Sequence, residues 1–590
     1  MTFTTRPTLR GTFGMVSSTH WLASQSAMRT LELGGNAFDA AATAGFVLHV
    51  VEPHLNGPGG EVPAIVATAD DPTPRVLCGQ GAAPAAATID HFRSLGLDLI
   101  PGSGPLAAVV PGAVDAWLLL LRDHGTRPLR EILEPAIGYA RGGHPLVGRV
   151  GSTVEAVQDL FTQHWPTSAA VWLPGGQPPR ANSLFRNPAY ADTLERLLST
   201  AETAGADRIA QLERARSVWR EGFVAEAIDR FSRLPHRDSS GQDHGGLVTG
   251  DDLADYQATW EEPATLDWQG HTVAKTGPWG QGPGLLQSLA VLAELGDPAD
   301  LDLTGADGVH TVTEVIKLSY ADREAWYGDG YDVPLKTLLS PSYAAERAAL
   351  IGKEACLDLR PGSPDGRLPV LPSVASGNAK LDAATGEPTV SVDGTTRGDT
   401  CHIDVIDQWG NVVSATPSGG WLQSSPTIPE LGFCLGSRLQ MFWLEEGTAS
   451  SLAPGLRPRT TLTPTLVLRD GRPVLACGSP GGDQQDQWQL IFLLRHLAGG
   501  QDLQEAIDAP TWHTTGFPSS FYPRATEPGG LVMESRLGPD VRDELARRGH
   551  RVTEAGPWSL GRLCAVSREA DGVLAAAANP RGMQGYACGR

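Results

Sequence analysis

Apolar residues from Trp21 to Leu33 recur at the spacing of one helix face. Gly34 and Gly35 supply a stop, and Asn36 stands where a cap opens a second helix running into Val50. Pro53 ends that hairpin, the turn Asn56-Gly57-Pro58-Gly59-Gly60 follows, and the apolar run from Val62 to Ala67 reads as a strand. From about Leu106 to Glu324 the pattern is mostly helical, broken by loops at 173–180 and 238–246, and Gly308 to Trp326 has the period of an amphipathic helix. The texture then changes. Between Gly352 and Gly398 the chain is dense in Pro, Gly, Ser and Asp and keeps no period, the mark of a surface segment or linker. Beyond it, His402 to Ile406 and Val412 to Thr416 alternate around the turn Asp407-Gln408-Trp409-Gly410-Asn411. Thr463 to Arg469 and Pro473 to Cys477 flank Asp470-Gly471 as a second hairpin, from which a glycine pair leads into a strongly apolar helix, Gln487 to Leu497. Helices first and strands later, split by an unpatterned segment, predict a mixed, layered fold of α and β rather than a parallel doubly wound one.

At 590 residues, 41% hydrophobic and 19% charged, the chain has an ordinary globular composition with room for a large core. A formal net charge of -21 argues against nucleic acid or an anionic membrane as the main partner. Seven cysteines, at 78, 356, 401, 434, 477, 564 and 588, include no Cys-x-x-Cys pair, and an odd number makes a poor disulfide framework. Arg6 and Arg10 are followed by no apolar run of signal-peptide length, so a cytoplasmic protein is expected. No His-Glu-x-x-His, cysteine-rich or paired-carboxylate pattern points to a metal. Gly280-Gln281-Gly282-Pro283-Gly284 imitates a nucleotide loop, but Pro283 removes a donor, and no cofactor is expected.

Two short stretches carry chemistry. In Gly398-Asp399-Thr400-Cys401-His402 a flexible segment meets a rigid strand. A threonine hydroxyl is a weak nucleophile unless a base adjoins it, and one solution makes the threonine the first residue of a chain, so that its own α-amine is the base. That requires cleavage between Asp399 and Thr400. Taken alone, a threonine at a strand start is more often plain β-propensity. In Gly478-Ser479-Pro480-Gly481-Gly482-Asp483 a strand ends, two glycines turn and a helix begins, a geometry that aims backbone N–H groups at an oxyanion.

These stretches fall in order among other matches: Gly34 to Ala41, Asn56 to Gly60, Val110 to Val114, Tyr320 to Arg323, Gly328-Asp329, Asp399 to Asp407, Gly410-Asn411, Arg457-Pro458, Thr463 to Thr465 and Gly478 to Gly482. The ordered set resembles the gamma-glutamyltransferase family of N-terminal-nucleophile (Ntn) hydrolases. The resemblance implies an α+β, four-layer αββα sandwich formed by two subunits cut from one precursor. Residues 1–399 would form the large subunit, with 352–399 a mobile pre-cleavage segment, and 400–590 the small catalytic one, together making one compact domain. Thr400 would be nucleophile and, through its amine, base; Ser418 matches a second hydroxyl near it; Gly481 and Gly482 would supply the oxyanion hole. Thr395 and Thr396 are rival cut sites, set aside because Arg397 follows them, and Cys401 replaces the family's usual second threonine. The implied partners are a small amide, water or an amine as acceptor, and the other processed subunit.

The chain departs from the family in the acyl pocket. An arginine that pairs with the γ-glutamyl α-carboxylate is here Gln80, and an aspartate that binds the α-ammonium is here Gln440. The pocket serines correspond to Thr460 and Thr461, while Arg438 and Arg459 stand close in sequence and could grip a differently placed carboxylate. A bidentate arginine–carboxylate contact is worth about 1.5–3 kcal/mol, which a neutral amide does not replace. The expected activity is therefore cleavage of a small amide whose acyl group carries a carboxylate but is not free γ-glutamyl. A conventional gamma-glutamyltransferase or glutathione hydrolase and an inactive scaffold-type relative stay as alternatives.

Overall fold

The computed structural model describes residues 3–373, 389–390, 396–397 and 400–590. Among these, two seven-stranded antiparallel sheets lie at the centre. The first runs, edge to edge, Tyr586–Gly589, Gly14–Ser18, Ile403–Asp407, Val412–Ala415, Val62–Ala67, Arg75–Gly79 and Thr259–Glu261. The second runs Leu9–Gly11, Leu574–Ala578, Cys564–Arg568, Arg472–Gly478, Thr465–Arg469, His271–Lys275 and Ala264–Trp268.

Strand alternation decides which core each side chain enters. Met15 faces the space between the sheets while Val16 faces outward; Ile65 and Val76 point in, Val66 and Leu77 out. Apolar residues on both faces make the strands read as short continuous runs, and each face needs a cover. Helices Trp21–Glu32, Ala37–Val51 and Ala113–His124 cover the first sheet. Helices Pro283–Glu294, Ala306–Trp326 and Gln485–Leu493 cover the second. The result is the αββα sandwich. The Asn36 cap is a complete capping box with Asp39, as the sequence predicts.

Three differences from the sequence reading have physical causes. Strands Thr259–Glu261, Ala264–Trp268 and His271–Lys275 lie inside the stretch read as mostly helical, because runs this short show too few periods to register. The apolar helix from Gln485 ends at Leu493 and gives way to a π turn, Leu494–Ala498. The first part of the expected mobile segment is fixed. His310 bonds the Gly352 carbonyl at 2.9 Å, Cys356 N–H donates to Glu314 at 3.3 Å, and Gly362 N–H donates to Asp322 at 2.6 Å. Side chains of one helix thus satisfy a backbone that has no ladder of its own. Asp399, Gly398 and Thr395 lie outside the described residues, and so does the side chain of Thr396. Among the described residues no helix is long and apolar enough to cross a membrane, and the seven cysteines are unpaired.

Candidate active site

The sheets place every chemistry-bearing stretch at one end. Strands Ile403–Asp407 and Val412–Ala415 are antiparallel, so the chain entering the first and the chain leaving the second meet, and Thr400 forms a backbone bridge with Ser418. Ser418 exchanges backbone hydrogen bonds of 2.9 and 3.0 Å with Glu61, which opens the next strand. Strand Arg472–Gly478 of the second sheet ends on the same side. A ring connects the two sheets there: His402, held by Asp404 and Thr416 at 2.9 Å each, lies so close to Gly478 that a Cβ would come within 2.1 Å of its Cε1. No other residue type fits at 478.

Thr400 is buried, at 2% exposure, and its hydroxyl donates to Ser418 Oγ at 3.3 Å. It also receives the Gln485 side-chain amide at 3.3 Å. Gln485 is oriented by its other end, whose Oε1 accepts the Thr463 N–H at 3.2 Å; a backbone N–H can only donate, so the NH2 must face Thr400. Gln485 begins the helix that follows Gly481 and Gly482, whose φ values of 129° and 50° are left-handed. A Cβ at Gly481 would also lie 2.3 Å from Trp488 Cζ3. The first N–H groups of a helix have no intrahelical acceptor, so this turn offers donors beside Thr400.

Behind Ser418 stands a buried ion pair. Arg438 donates to Ser418 Oγ at 3.1 Å and pairs with Glu61, and both charged residues are nearly inaccessible. The guanidinium lies 5.2 Å from the Trp421 ring centre and 5.9 Å from that of Phe521. Burial raises the Glu61 carboxyl above its ordinary range, and the Arg438 charge opposes that rise.

The specificity candidates are buried nearby but differ in what they touch. Gln80 follows strand Arg75–Gly79; its Oε1 has no hydrogen-bond partner among the described residues, and its Nε2 reaches only the Gly81 carbonyl at 3.5 Å. Gln440 is fully engaged: its Nε2 donates to Gly102 and Ser437 carbonyls at 3.0 Å each, and its Oε1 takes the Tyr522 N–H at 2.9 Å. Its neighbour Phe521 lies against Gly482, so Gln440 ties the loop that walls the glycine turn. Thr460 pairs through its backbone with Gln281, whose side chain donates to the Gly482 carbonyl at 3.3 Å, and Thr461 Oγ1 is buried without a partner among the described residues. Arg459 is paired with Glu324 at 2.8 Å, so its charge is already met.

Sequence reasoning missed Gln485 and the coupling of Arg438 to Ser418. The signal for the first was its place in the opening turn of the helix after the glycine pair. A metal-like cluster, His310, Glu314 and His550, is largely engaged by protein groups, with His550 Nδ1 left buried without a partner among the described residues. The imidazoles bond each other at 2.8 Å, and Glu314 faces Lys317 at 2.6 Å and Arg360 at 3.3 Å.

The Gamma-glutamyltranspeptidase family profile matches residues 23–589. The glutathione hydrolase-like YwrD proenzyme of Bacillus subtilis (strain 168) is 30% identical, with 97% of this chain and 98% of the relative covered. The oxamate amidohydrolase proenzyme of Klebsiella pneumoniae subsp. pneumoniae is 31% identical, with 97% of each covered. The solved structure of LmbA2991HD is 59% identical over the whole of both chains and superposes with a TM-score of 0.93. Profile, relatives and sandwich agree, and the chain belongs to the gamma-glutamyltranspeptidase family as an Ntn-type enzyme.

Proposed function

We propose that the chain is a precursor that cuts itself between Asp399 and Thr400, and that the freed Thr400 cleaves a small amide through a threonyl acyl-enzyme. The observation that carries this reading is the setting of the Thr400 hydroxyl, buried, 3.3 Å from both Ser418 Oγ and the Gln485 amide, at the sheet end that holds the Gly481–Gly482 turn. In the precursor the hydroxyl oxygen adds to the Asp399 carbonyl carbon, its proton passes to the departing Thr400 nitrogen, and water opens the resulting ester. In the processed enzyme the Thr400 α-amine takes the hydroxyl proton, since neither Ser418 nor Gln485 is a base at neutral pH. The substrate's acyl carbon then bonds to Oγ1, the amine leaves with the proton, and water or an amine acceptor resolves the ester. Donors of the glycine turn and Gln485 meet the oxyanion of each tetrahedral stage.

The acyl group is a small acid that carries a carboxylate and lacks the α-amine of γ-glutamyl. Gln80 and Gln440 offer neutral groups, and Gln440 is occupied with protein partners. Similarity to an oxamate amidohydrolase supports this, because oxamate pairs an amide with a carboxylate and has no amine. A glutathione hydrolase is the second reading, favoured by similarity to the YwrD proenzyme. Sequencing of the smaller fragment should begin Thr-Cys-His-Ile-Asp. Thr400→Ala should stay whole and inactive, and Thr400→Ser should keep some of both steps. A start at Thr395 or Thr396, or turnover by Thr400→Ala, overturns the reading.

A further inference from the structure

The Gln485 amide faces Thr400 because its other end takes the Thr463 N–H, and Thr463 is itself gripped at every polar group. Its hydroxyl donates to Asp486 Oδ1 at 2.9 Å. Its carbonyl accepts Lys275 Nζ at 3.2 Å and Gln489 Nε2 at 3.0 Å. Lys275 Nζ also donates to Thr465 Oγ1 at 2.7 Å and Gln489 Oε1 at 3.1 Å, and it pairs with Asp486 at 2.9 Å. The groups Lys275, Asp486, Thr463, Gln485 and Thr400 thus stand in series, joined at 2.9, 2.9, 3.2 and 3.3 Å.

The fold brings this series together from three places. Lys275 ends strand His271–Lys275, two residues past Val273 and on the same face, under the helices that cover the second sheet. Asp486 is the second residue of the helix that follows the glycine pair, and Thr463 leads into strand Thr465–Arg469. The turn at Gly280–Gly282 seals the lysine stem: a Cβ at Gly282 would stand 3.1 Å from Lys275 Cβ and 3.3 Å from its Cε. Lys275, Asp486, Thr463 and Gln489 are at most 2% exposed.

An ammonium has three protons, and four acceptors surround this one, so none is left for a substrate. Nor is a buried ion pair by itself a strong source of stability, since apolar side chains of the same size often serve as well. What the pair supplies is direction. Apolar groups in its place would release the Thr463 hydroxyl and loosen the hold on its carbonyl, and with them the N–H that orients Gln485.

We propose that Lys275 is a positioning residue for acyl transfer: with Asp486 it locks Thr463, and so keeps the Gln485 amide donating toward Thr400 and the oxyanion formed there. This rests on the reading of Thr400 as nucleophile.

The test is a double-mutant cycle on one amide substrate, reading both the half-time of self-cleavage and kcat. Lys275→Met with Asp486→Leu replaces the pair by apolar groups, so neither charge is left buried alone. Its kcat should fall about tenfold or more, with KM within about threefold of wild type. Gln485→Leu should cost about tenfold or more in the wild-type chain but less than about threefold in that background, because the amide it removes is already turned away. Losses that multiply, or a wild-type kcat in the apolar pair, overturn the proposal. If the apolar pair does not fold, Thr463→Val, which cuts only the bond to Asp486, takes its place in the cycle. A fall of about threefold or more that is not additive with Gln485→Leu is then expected, and unchanged rates or multiplying losses overturn the proposal. A variant too slow to process is compared on self-cleavage alone. Turnover by Thr400→Ala would refute the nucleophile, whereas the coupling of Lys275 to Gln485 is decided by the cycle in chains that keep Thr400.

Discussion

Replacing Arg438 by Met separates the two roles its contacts give it. The guanidinium is joined to Ser418 Oγ by a 3.1 Å bond, and Ser418 to Thr400 Oγ1 by one of 3.3 Å. A unit charge at that remove acts on a developing negative oxygen with about 3 kcal/mol at an effective dielectric of about 20, reduced by the paired Glu61. The charge-assisted bond to Ser418 is itself worth about 1.5–3 kcal/mol. Arg438→Met should therefore lower kcat about tenfold to a hundredfold with little change in KM. Stability falls too, because Glu61 is left buried alone, a loss of about 3–5 kcal/mol. That loss has a pH sign. Without Arg438 the burial that already raises the Glu61 pKa acts unopposed. A carboxyl whose folded pKa is raised favours the fold at low pH, and its contribution is lost as pH rises through the unfolded value to the folded one. The variant should melt near wild type at about pH 5 and well below it at about pH 8. Adding Glu61→Gln should recover the melting temperature at pH 8 and leave kcat low. Melting curves at the two pH values, with kcat of both variants on one amide, make the test. A single variant as stable as wild type at pH 8 refutes the buried-pair reasoning, and full recovery of kcat in the double variant reduces Arg438 to scaffolding.

Gly481→Ala meets Trp488 Cζ3 at 2.3 Å in a left-handed conformation, so it should displace the oxyanion donors and slow both self-cleavage and turnover at least about a hundredfold. Gel analysis of processing with kcat on a verified substrate checks this, and near-normal rates would place the oxyanion hole elsewhere. A glutaryl anilide should exceed its γ-glutamyl counterpart in kcat/KM by at least about tenfold, about 1.4 kcal/mol. Gln80→Arg with Gln440→Asp should narrow or reverse that margin. Because Gln440 ties Gly102 to Tyr522, the melting temperature of the double variant belongs in the same experiment. A wild type that prefers the γ-glutamyl compound favours the glutathione hydrolase reading.

What could be read from the sequence was local. The Asn36 box, the hairpin carrying Thr400 and the strand–glycine–helix turn are each written within about a dozen residues, where propensity and turn chemistry act. What could not be read was made by topology. Arg438 and Glu61 are 377 positions apart, and Cys401 and Glu52 are 349 apart. Register counting placed Gln440 at the pocket, but only the fold shows its amide committed to three loop groups. Residues 352–362 lack any period, yet a buried helix holds them, since periodicity reports an element's own face and not a neighbour's side chains.

Strand alternation also turns two adjacent candidate nucleophiles to opposite sides, which supports the proposed role of Thr400. Thr400 turns toward Ser418 and Gln485, and Cys401 turns the other way, onto Glu52. Burial pushes the Cys401 thiol well above its ordinary pKa, and the nearby Glu52 carboxyl adds to the rise. A thiolate there is disfavoured both by the dry surroundings and by the neighbouring charge, and the thiol is spent as a donor. The more reactive atom type is thus held inert one residue from the site. The weaker hydroxyl is left facing the donors that an acyl transfer requires, and it needs only the amine that chain cleavage would expose.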